Sequence, residues 1–426
     1  MTEPPGHAHA MQIVQAVRAA CDPRSAMASS LRARPTRSHR PALIAVGKAA
    51  ASMYRGFLDL FPEPQSRFMV VPEGTDAPPW AIRADHPLPT TRCLDAARAL
   101  IEFVHQVKAN GTCDGFILLL SGGASSLLTL PFDTIPLERY APAIEHLLRS
   151  GLSIHELNTI RKHCEQLKGG RLGVLMHPLP CDAYLLSDVV GDDPSTIGSG
   201  PTVPDPTTVE SFRALLQRDP SSLFAQHLLT ATAHIPETPK PGDPRLANAR
   251  HAIVGSNAMA VQAAAECARQ LGYHPVTAET GVVGEAEAAG RRLGSRASVA
   301  APGEAIIWGG ETVVSVRSPT GRGGRNQHLA LASAIEVEGL PNVTIATFAT
   351  DGVDGPTDAA GAIVNGDTCV TARAKGLDPA TFLRECDSHT FFSLLEDHDH
   401  SYLMRTGPTG TNVNDIALAL VRPAVS

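Results

Sequence analysis

Short apolar runs alternate with helical patterns through the first half of the chain. Apolar residues fill nearly every position of a run, which is typical of strands covered on both faces of a parallel sheet. Helical patterns lie between the runs, notably at 91–108 and 154–167. The alternation predicts a Rossmann-like, mostly parallel α/β domain that binds its ligands at the carboxyl ends of the strands. The runs are ALIAVG (42–47), RFMVV (67–71), FILLL (116–120) and AYLLSDV (183–189).

A second α/β pattern follows the proline-rich segment IPETPKPGDPRLAN (235–248). The four prolines and mixed charge of this segment predict an extended, solvated linker. We therefore expect an N-terminal domain over residues 1–237 and a smaller C-terminal α/β domain over residues 238–426. The elements expected in the second domain are helices at 258–271 and up to 300, a hairpin in AIIWGGETVVSV (305–316), and strands in VTIATFA (343–349) and IALALV (416–421).

Composition excludes several classes of protein. The chain has 426 residues, 43% hydrophobic and 19% charged, so it can bury a large core and is not globally disordered. A formal net charge of −7 and an aromatic content of 4% argue against a nucleic-acid partner. The eight cysteines form no C-x-x-C pair, which indicates neither a zinc site nor a disulfide framework. No apolar run reaches the length of a membrane span, and no signal peptide is evident, so we expect a cytoplasmic protein without a membrane partner.

Four glycine-rich loops flank the predicted elements. Glycine permits tight turns and close backbone approach. Any one of these loops could be a plain turn, but together with their acidic and basic residues they describe a site for a phosphorylated ligand and a metal ion. The loops are SGGASS (121–126) after FILLL, VGDDPSTIGSGPT (190–202) after AYLLSDV, GRGGRNQ (321–327) before a helical pattern, and TDGVDGPTDAAG (350–361) after VTIATFA.

Lys48 and the SGGASS loop are the candidate anion-binding groups of the first domain. Lys48 ends VGK at the junction of the first strand and its helix, where its ammonium would enter the crevice above the sheet. It is not a P-loop lysine, because the spacing G-x-x-x-x-G-K-[ST] is absent. In SGGASS, the backbone N–H groups around Ser121, Gly122, Gly123 and Ser125 could converge on a phosphate or carboxylate.

A basic segment and an acidic loop supply further candidates in this domain. Lys168 lies in IRKHCEQLKGGRL (160–172), a basic cluster that could meet a nucleotide, although such a helix face is usually only solvated. Asp192 and Asp193 follow the fourth apolar run. Neighbouring carboxylates in such a loop can hold a cation or receive a proton.

The candidate residues of the second domain are Glu311, Arg325, Asp351 and Asn412. Glu311 is expected in a GGET turn between two strands, where a carboxylate suits a metal ion or a hydroxyl group. Arg325 follows two glycines at a helix start, and its fork can bind a carboxylate or phosphate through two parallel hydrogen bonds. Asp351 lies on a glycine-flexed loop that suits Mg²⁺, which takes few protein oxygens and keeps its waters. Asn412 is a polar contact in the last loop.

Motif blocks that span nearly the whole chain in order resemble the glycerate 2-kinase family, the class II glycerate kinases with a C-terminal MOFRL domain. The resemblance implies ATP- and Mg²⁺-dependent phosphorylation of D-glycerate at its 2-hydroxyl. It carries the family's lysine onto Lys48 and its arginine onto Arg325. The matching blocks are AVGKAA, DHPLP (85–89), LLSGGASSLL, ELNTIRKHCEQLKGGRL, LSDVVGDDPSTIGSGPT, GGETVV, GRGGRNQHLAL, TDGVDGPTDAAGA and GPTGTNVND.

Two stretches depart from the family's pattern. The family usually has an acid after Arg-Asn-Gln, and His328 stands at that position here, which argues against an acidic role there. The stretch LLEDHDHSYLMRTG (394–407) is longer and more polar than usual and could alter the rim of the site or an oligomer contact. Its DHDH run (397–400) has metal-ligand spacing, but a solvated loop is the favoured interpretation.

We therefore predict a phosphotransferase with Lys48, Arg325 and Asp192 as catalytic residues, Mg²⁺ as cofactor and ATP as cosubstrate. The residue types leave open which of Asp192, Glu311 and Asp351 binds Mg²⁺ and which takes the hydroxyl proton. The residues expected to contact D-glycerate or ATP are Ser121, Gly122, Gly123, Ser125, Lys168, Glu311 and Asn412.

Two other functions fit part of the pattern. Some members of this family are labelled hydroxypyruvate reductases, but an NAD(P)H-binding domain should show G-x-G-x-x-G after a strand, and no strand–helix unit here opens with it. A non-catalytic sugar-phosphate-binding protein fits the SGG loop but leaves Asp351 and Arg325 without a role. The chain could also form a homodimer, which the sequence does not decide.

Overall fold

The computed structural model describes residues 5–149, 152–218, 223–231, 235–316, 320–397 and 401–423. Within these residues the chain forms two compact units. We call Pro23–Val254 the N-terminal unit. The C-terminal unit consists of Met1–Asp22 together with Gly255–Ser426.

The sheet of the N-terminal unit has six strands, which are β1 (Pro41–Val46), β2 (Arg67–Pro72), β3 (Ile82–Ala84), β4 (Gly115–Leu120), β5 (Cys181–Leu186) and β6 (Ala249–Gly255). Their order is β3-β2-β1-β4-β5-β6, and β1 to β5 pair in parallel. Every residue of β4 and β5 is buried, which explains why β4 is apolar throughout and why the one charged residue of β5, Asp182, is paired with Arg37 and Arg250. The strand order reverses between β1 and β4, the place where open α/β sheets bind their ligands.

Helices connect these strands, and several begin and end at recognisable capping residues. Thr90 caps α4 by accepting a hydrogen bond from the Arg92 N–H, and Gly111 ends α4 with a φ of 62°. Ser153 and Glu156 form a capping box at the start of α7. The helices of this unit are α2 (Pro23–Ala33), α3 (Ala50–Leu58), α4 (Thr91–Asn110), α5 (Ala124–Leu127), α6 (Leu137–Arg149), α7 (Ile154–Cys164), α8 (Arg171–Met176), α9 (Val209–Leu216) and α10 (Leu223–Ala231).

The sheet of the C-terminal unit also has six strands, which are β7 (Val276–Glu285), β8 (Ala305–Val313), β9 (Val343–Ala349), β10 (Gly361–Asn365), β11 (Leu403–Met404) and β12 (Asp415–Val421). Their order is β11-β10-β9-β12-β8-β7. Only the β7–β8 pair is parallel, and the other pairs are antiparallel. The sheet is therefore mixed, unlike the N-terminal sheet, in which β1 to β5 pair in parallel.

The helices of the C-terminal unit pack on this sheet. In the described parts of the chain, no helix of either unit is long and apolar enough to cross a membrane. The helices are α1 (Pro5–Ala20), α11 (Asn257–Gln270), α12 (Ala286–Ser298), α13 (Arg325–Glu336), α14 (Thr368–Ala374), α15 (Pro379–Arg384) and α16 (Ser388–Leu395).

The compact units do not coincide with a single cut at residue 237. Helix α1 packs against α11, and His9 Nδ1 lies 2.9 Å from the Tyr273 hydroxyl. Strand β6 follows residue 237 but belongs to the N-terminal sheet. The chain therefore starts in one unit, forms the other, and returns, whereas the predicted domain limits of 1–237 and 238–426 stay a prediction.

The predicted solvated linker at 235–248 is wrong. Thr238 is buried, and its hydroxyl donates to Asp205 Oδ2 at 3.0 Å. The carbonyl of Pro239 accepts from the Asp205 N–H at 2.8 Å. Proline has no N–H of its own but keeps its carbonyl, and here a neighbouring loop supplies the donor. The segment is thus anchored within the N-terminal unit and does not link the two units, although many of its residues are exposed.

The segment AIIWGGETVVSV forms one strand, β8, through its two glycines, so the predicted hairpin is wrong. Gly310 pairs with Asp415 of β12 on one side and with Val282 of β7 on the other. A Cβ at Gly310 would lie 2.0 Å from the Val282 carbonyl oxygen. Glycine therefore permits close pairing here rather than a turn, and Glu311 lies within the strand.

Candidate active site

The loops after β1 and β4 are hydrogen-bonded to each other at the carboxyl edge of the N-terminal sheet. The Lys48 N–H donates to the Gly122 carbonyl at 2.9 Å, and the Ala49 N–H donates to Ser121 Oγ at 3.0 Å. A Cβ at Gly47, whose φ is 125°, would lie 2.2 Å from Ser121 Oγ, so this approach requires glycine. The VGK and SGGASS motifs therefore meet where the strand order reverses.

The Lys48 ammonium is available to a ligand. Its side chain is exposed and makes no hydrogen bond or ion pair with any residue that the structure describes. Its stem passes the loop, because a Cβ at Gly123 would lie 3.4 Å from Lys48 Cγ. An unpaired cation beside backbone N–H groups at the end of a parallel sheet suits a phosphate or carboxylate.

Asp188 and His86 border the same loop. A Cβ at Gly122 would lie 2.3 Å from Asp188 Oδ2, and one at Gly123 would lie 2.9 Å from His86 Cδ2. Burial raises the pKa of Asp188, and the charge of Lys48 only partly offsets this effect. Burial, and then the charge of Lys48, lowers the pKa of His86 to about 4, so its imidazole is neutral at pH 7. Asp188 thus has a raised pKa, the direction that suits a group taking a proton.

Asp192 and Asp193, which the sequence pairs, have different surroundings. Asp193 accepts hydrogen bonds from the Ser195 N–H at 2.9 Å and the Ser195 hydroxyl at 2.6 Å, so it holds a turn. Asp192 has a φ of 54°, and its Oδ1 is buried without a hydrogen-bond partner among the described residues. A buried carboxylate oxygen needs a donor or a cation, so Asp192 keeps its candidacy as a metal ligand or a proton acceptor.

Lys168 lies inside the N-terminal unit and is 2% exposed. It forms an ion pair with Glu165, which also accepts a hydrogen bond from the Tyr140 hydroxyl. Burial lowers the pKa of Lys168, against the effect of Glu165. The charge of Lys168 is therefore neutralised within the unit, and its contact with a nucleotide stays a prediction.

In the C-terminal unit, Arg325 begins α13, as predicted, and two carboxylates hold its guanidinium. Its Nε and Nη2 donate to Asp415 at 2.5 and 3.1 Å, and its Nη1 lies 3.2 Å from Glu311 Oε1. Burial acts to lower the pKa of Arg325, but Asp415 and Glu311 outweigh it and raise the pKa. Arg325 and Glu311 are thus brought together, with a bidentate partner that sequence reasoning missed.

Asp354 fixes the first turn of α13. Its carboxylate accepts from the backbone N–H groups of Asn326 at 3.0 Å and Gln327 at 2.8 Å. A Cβ at Gly324 would lie 2.2 Å from Asp354 Cγ, which explains the glycine before Arg325. Burial raises the pKa of Asp354 to about 6, against the lowering by its N–H donors. Asp354 therefore anchors the helix end that presents Arg325.

Asp351 and Asn412 lie on two loops that hydrogen-bond to each other. Asp351 is half-buried, and its backbone carbonyl accepts from the Thr409 N–H at 3.0 Å. Burial raises the pKa of Asp415, the charge of Asp351 adds to this, and Arg325 opposes both. Asn412 Oδ1 accepts from the Asn414 N–H at 3.0 Å, so its carbonyl oxygen holds a turn.

Among the residues that the structure describes, no group of three or more His, Cys, Asp and Glu side chains is arranged to hold a metal ion. Mg²⁺ does not require such a group, since one or two carboxylates and several waters are common around it. Asp192 Oδ1 and the carboxylates around Arg325 fit that kind of partial ligation. Of the DHDH run, Asp397 lies 3.8 Å from Lys375, and His398, Asp399 and His400 are outside the described residues.

Two family models match the chain: a domain of unknown function, DUF4147, over residues 9–230, and the MOFRL family over residues 304–415. The chain is 37% identical to the D-glycerate 2-kinase of Thermotoga maritima over 397 residues, which cover 90% of this chain and 91% of that protein. The chain belongs to the glycerate 2-kinase family. The crystal structure of a glycerate kinase from Thermotoga maritima superposes with a TM-score of 0.86 at 35% identity, covering 97% of this chain and 99% of that one. A relative from Agrobacterium vitis, provisionally named a hydroxypyruvate reductase, is 35% identical over 423 residues, 96% of this chain and 93% of that protein.

As a member of the glycerate 2-kinase family, the chain places Lys48 with Ser121, Gly122 and Gly123 in its N-terminal unit. In its C-terminal unit Arg325 lies with Glu311. The charge of Asp351 raises the pKa of Asp415, the other carboxylate bonded to Arg325. Sequence reasoning missed the roles of four further residues. Each stands in a motif block beside a predicted strand end or a glycine-rich loop, which was the available signal. They are His86 in DHPLP, Asp188 after AYLLS, Asp354 in the TDGVDG loop and Asp415 at the end of GPTGTNVND.

Proposed function

We propose that this protein is a glycerate 2-kinase, which transfers the γ-phosphoryl group of ATP to the 2-hydroxyl of D-glycerate. The 2-hydroxyl oxygen forms the new bond to the γ-phosphorus, the bond from that phosphorus to the β,γ-bridging oxygen breaks, and ADP leaves. The observation that carries this proposal is the Lys48 ammonium, which has no ion pair among the described residues, beside the half-buried carboxyl of Asp188, where the strand order reverses. An open cation next to a proton acceptor is what phosphoryl transfer to a hydroxyl requires.

Lys48 binds a migrating phosphoryl oxygen or the carboxylate of glycerate in this proposal. The chemistry of such a transfer needs little covalent help, so positioning and charge neutralisation dominate. The backbone N–H groups of the SGGASS loop, around Gly122 and Gly123, add donors to the same anion. Neutral His86 lines this place without adding charge, because its pKa is lowered to about 4.

Asp188 takes the 2-hydroxyl proton as the new phosphorus–oxygen bond forms. Its raised pKa makes the carboxylate a stronger base than an exposed aspartate. Asp192 was the predicted catalytic carboxylate. We now propose Asp188 for the proton and retain Asp192 as a metal ligand.

Arg325 stabilises the charge of the transferring phosphoryl group. It does so through Nη1, because Nε and Nη2 bond to Asp415. Its Nη1 faces Glu311 at 3.2 Å, a single contact that a stronger anion can replace. The bidentate bond to Asp415 and the anchoring of α13 by Asp354 keep the guanidinium in place. Preorganised charge of this kind lowers the barrier without reorganisation during the reaction.

Magnesium completes the proposal and would be held by Asp192, Glu311 or Asp351. The residues fit it in two respects: Asp192 Oδ1 is buried without a partner among the described residues, and the Arg325 cluster carries more carboxylates than cations. When bound, Mg²⁺ neutralises phosphate charge and orients the ATP phosphates. We further propose a cytoplasmic location, since all eight cysteines are free thiols, and a homodimer as the assembly to be tested.

A paired assay tests the function. The protein is incubated with D-glycerate, ATP and Mg²⁺, and in parallel with hydroxypyruvate and NADH or NADPH. We expect ADP formation that depends on D-glycerate, and no oxidation of the nicotinamide cofactor. Oxidation of NADH or NADPH without ADP formation would overturn the kinase in favour of the reductase. Binding of sugar phosphates without turnover in either mixture would favour a sensor instead.

A further inference from the structure

A chain of three hydrogen bonds lies behind the SGGASS loop. Ser125 Oγ is 3.0 Å from Ser199 Oγ, and Ser199 Oγ is 2.9 Å from Asn158 Oδ1. Asn158 Nδ2 is 3.3 Å from the Thr196 carbonyl oxygen. Ser199 is fully buried and Asn158 is 3% exposed, whereas Ser125 is half-buried and reaches the loop surface.

The chain fixes which way each hydroxyl hydrogen points. The Thr196 carbonyl can only accept, so the Asn158 amide must turn its NH₂ towards it and its Oδ1 towards Ser199. Asn158 Oδ1 can only accept, so the Ser199 hydroxyl must donate to it. The single hydrogen of Ser199 is then used, and Ser125 must be the donor in the Ser125–Ser199 pair. The hydrogen of Ser125 therefore points into the protein.

Ser125 consequently presents only oxygen lone pairs to a ligand. A hydroxyl in this state repels phosphate and carboxylate oxygens, and it binds a group that donates a hydrogen bond. The sequence predicted anion donors only from the backbone N–H groups of this loop, and the accepting state of the Ser125 hydroxyl is an addition to that prediction. The backbone N–H groups of the loop are unaffected, so one loop offers donors from its backbone and an acceptor from this side chain.

We propose that Ser125 accepts a hydrogen bond from the 3-hydroxyl of D-glycerate, with Ser199 and Asn158 as positioning residues that hold it in the accepting state. The inference rests on the proposed kinase function. D-Glycerate has two hydroxyl donors, and the 2-hydroxyl gives its proton to Asp188 during transfer, which leaves the 3-hydroxyl for Ser125. A site built to pair with a substrate hydroxyl rejects an analogue without it, because a buried polar group then stays unpaired.

The backbone at Ser199 supports a role for its hydroxyl. Ser199 has a φ of 61° and stands between Gly198 and Gly200, with φ values of 58° and 60°. Left-handed backbone favours glycine at all three positions, and serine is strained there. The strained residue is also the one whose hydroxyl orients Ser125. Strain retained at such a place is typical of a functional constraint.

Kinetics with two substrates test the proposal. Wild type, Ser125→Ala and Ser199→Gly are compared on D-glycerate and on D-lactate, which lacks the 3-hydroxyl, with KM for ATP measured in each case. For Ser125→Ala we expect kcat/KM to fall about 10-fold on D-glycerate and less than about 2-fold on D-lactate, the worth of one hydrogen bond to a neutral donor. For Ser199→Gly, which removes the orienting hydroxyl and relieves the left-handed strain, we expect a fall of roughly 3-fold on D-glycerate alone.

Controls separate the possible failures. Cys386→Gly also removes a left-handed non-glycine residue, with a φ of 56°, and should leave the preference for D-glycerate unchanged. Equal falls on both substrates, or a change confined to KM for ATP, would overturn the 3-hydroxyl contact while leaving the kinase standing. Wild type without D-glycerate turnover would overturn both. A neutron structure tests the hydrogen positions independently of activity: deuterium on Ser199 directed at Ser125, rather than at Asn158, would overturn the accepting state.

Discussion

Both units place a cation beside a glycine-bearing loop, but the surroundings of the two cations differ. Lys48 is exposed and makes no ion pair with the described part of the chain. Arg325 donates two hydrogen bonds to Asp415 and lies 3.2 Å from Glu311. The charge of Asp351 also reaches Asp415 and raises its pKa. In the C-terminal unit one positive charge therefore stands among three carboxylates.

The difference shows that two similar sequence motifs, each a cation beside glycines, can belong to sites that attract ligands of opposite charge. The N-terminal loop offers a cation without an ion pair among the described residues, together with backbone N–H groups, and both attract an anion. The C-terminal cluster has an excess of negative charge and suits a cation, with Arg325 held in place by its partners. Lys48 thus has no ion pair in the described chain and can pair with a ligand anion, whereas its partners fix the position of Arg325.

We expect the largest loss of activity from removing the charge of Lys48. Lys48→Met keeps much of the stem and removes the charge, so we expect kcat/KM for D-glycerate to fall about 10³-fold, as for the loss of one preorganised charge contact. Steady-state kinetics measure the fall. Lys108→Met is the matched control, because this lysine bonds the Leu175 carbonyl, and it should remain within about 2-fold of wild type. Near-native activity of Lys48→Met would show that the charge of Lys48 is not needed, which would contradict the contrast drawn between Lys48 and Arg325.

Removing the neighbouring carboxylate should have the next largest effect. Asp188 must be ionised to take a proton, so kcat/KM should decline as the pH falls through its pKa, which burial raises above the ordinary value. Asp188→Asn should lower activity roughly 300-fold at pH 7.5 and remove this acidic limb from the pH profile. Profiles of both proteins between about pH 5 and pH 9 test this. An acidic limb that persists unchanged in Asp188→Asn would assign it to another group.

Replacing Arg325 by lysine should lower activity less than removing the charge of Lys48. Arg325→Lys keeps the charge but cannot bind Asp415 through two parallel bonds, so we expect turnover to fall roughly 100-fold. A melting curve and kcat are measured on the same preparation. A lysine variant that is folded and fully active would show that the fork at Arg325 is not needed.

The smallest effect is expected for a change at Asp351, whose charge acts on Asp415. Asp351→Asn keeps the shape of the side chain and removes one of the three carboxylates, so the Mg²⁺ concentration for half-maximal rate should rise by ~10-fold. Saturating Mg²⁺ should restore most of the activity. Asp378→Asn is the control, because Asp378 caps α15 by accepting hydrogen bonds from the Ala380 N–H and the Thr381 hydroxyl. An unchanged titration with Asp351→Asn would remove this residue from the metal site.

Much of the fold follows from local pattern. The apolar runs predicted β1, β2, β4 and β5, because strands buried on both faces are mostly apolar. Helix α1 was not predicted, and no local signal says that it packs in the C-terminal unit. Likewise Gly309 and Gly310 predicted a turn, and only the pairing of β8 with strands on both sides shows why glycine is needed.

The candidate site divides in the same way. Lys48 and Arg325 were predicted because each has a local motif, a strand end or a helix start beside glycine. Asp415 was missed because it lies 90 residues from Arg325, and a partner at that separation leaves no local trace. Asp188 was taken as the end of a strand, and its importance comes from burial beside Gly122, which is a property of the folded chain.

The central claim is that the phosphoryl group goes to the 2-hydroxyl of D-glycerate, and phosphorus NMR of the reaction mixture tests it most directly. The mixture contains the protein, D-glycerate, ATP and Mg²⁺, with authentic 2-phosphoglycerate and 3-phosphoglycerate as standards. We predict a phosphomonoester resonance at the position of 2-phosphoglycerate that grows in step with ADP. A resonance at the position of 3-phosphoglycerate, or ATP that stays intact with D-glycerate present, would contradict the account.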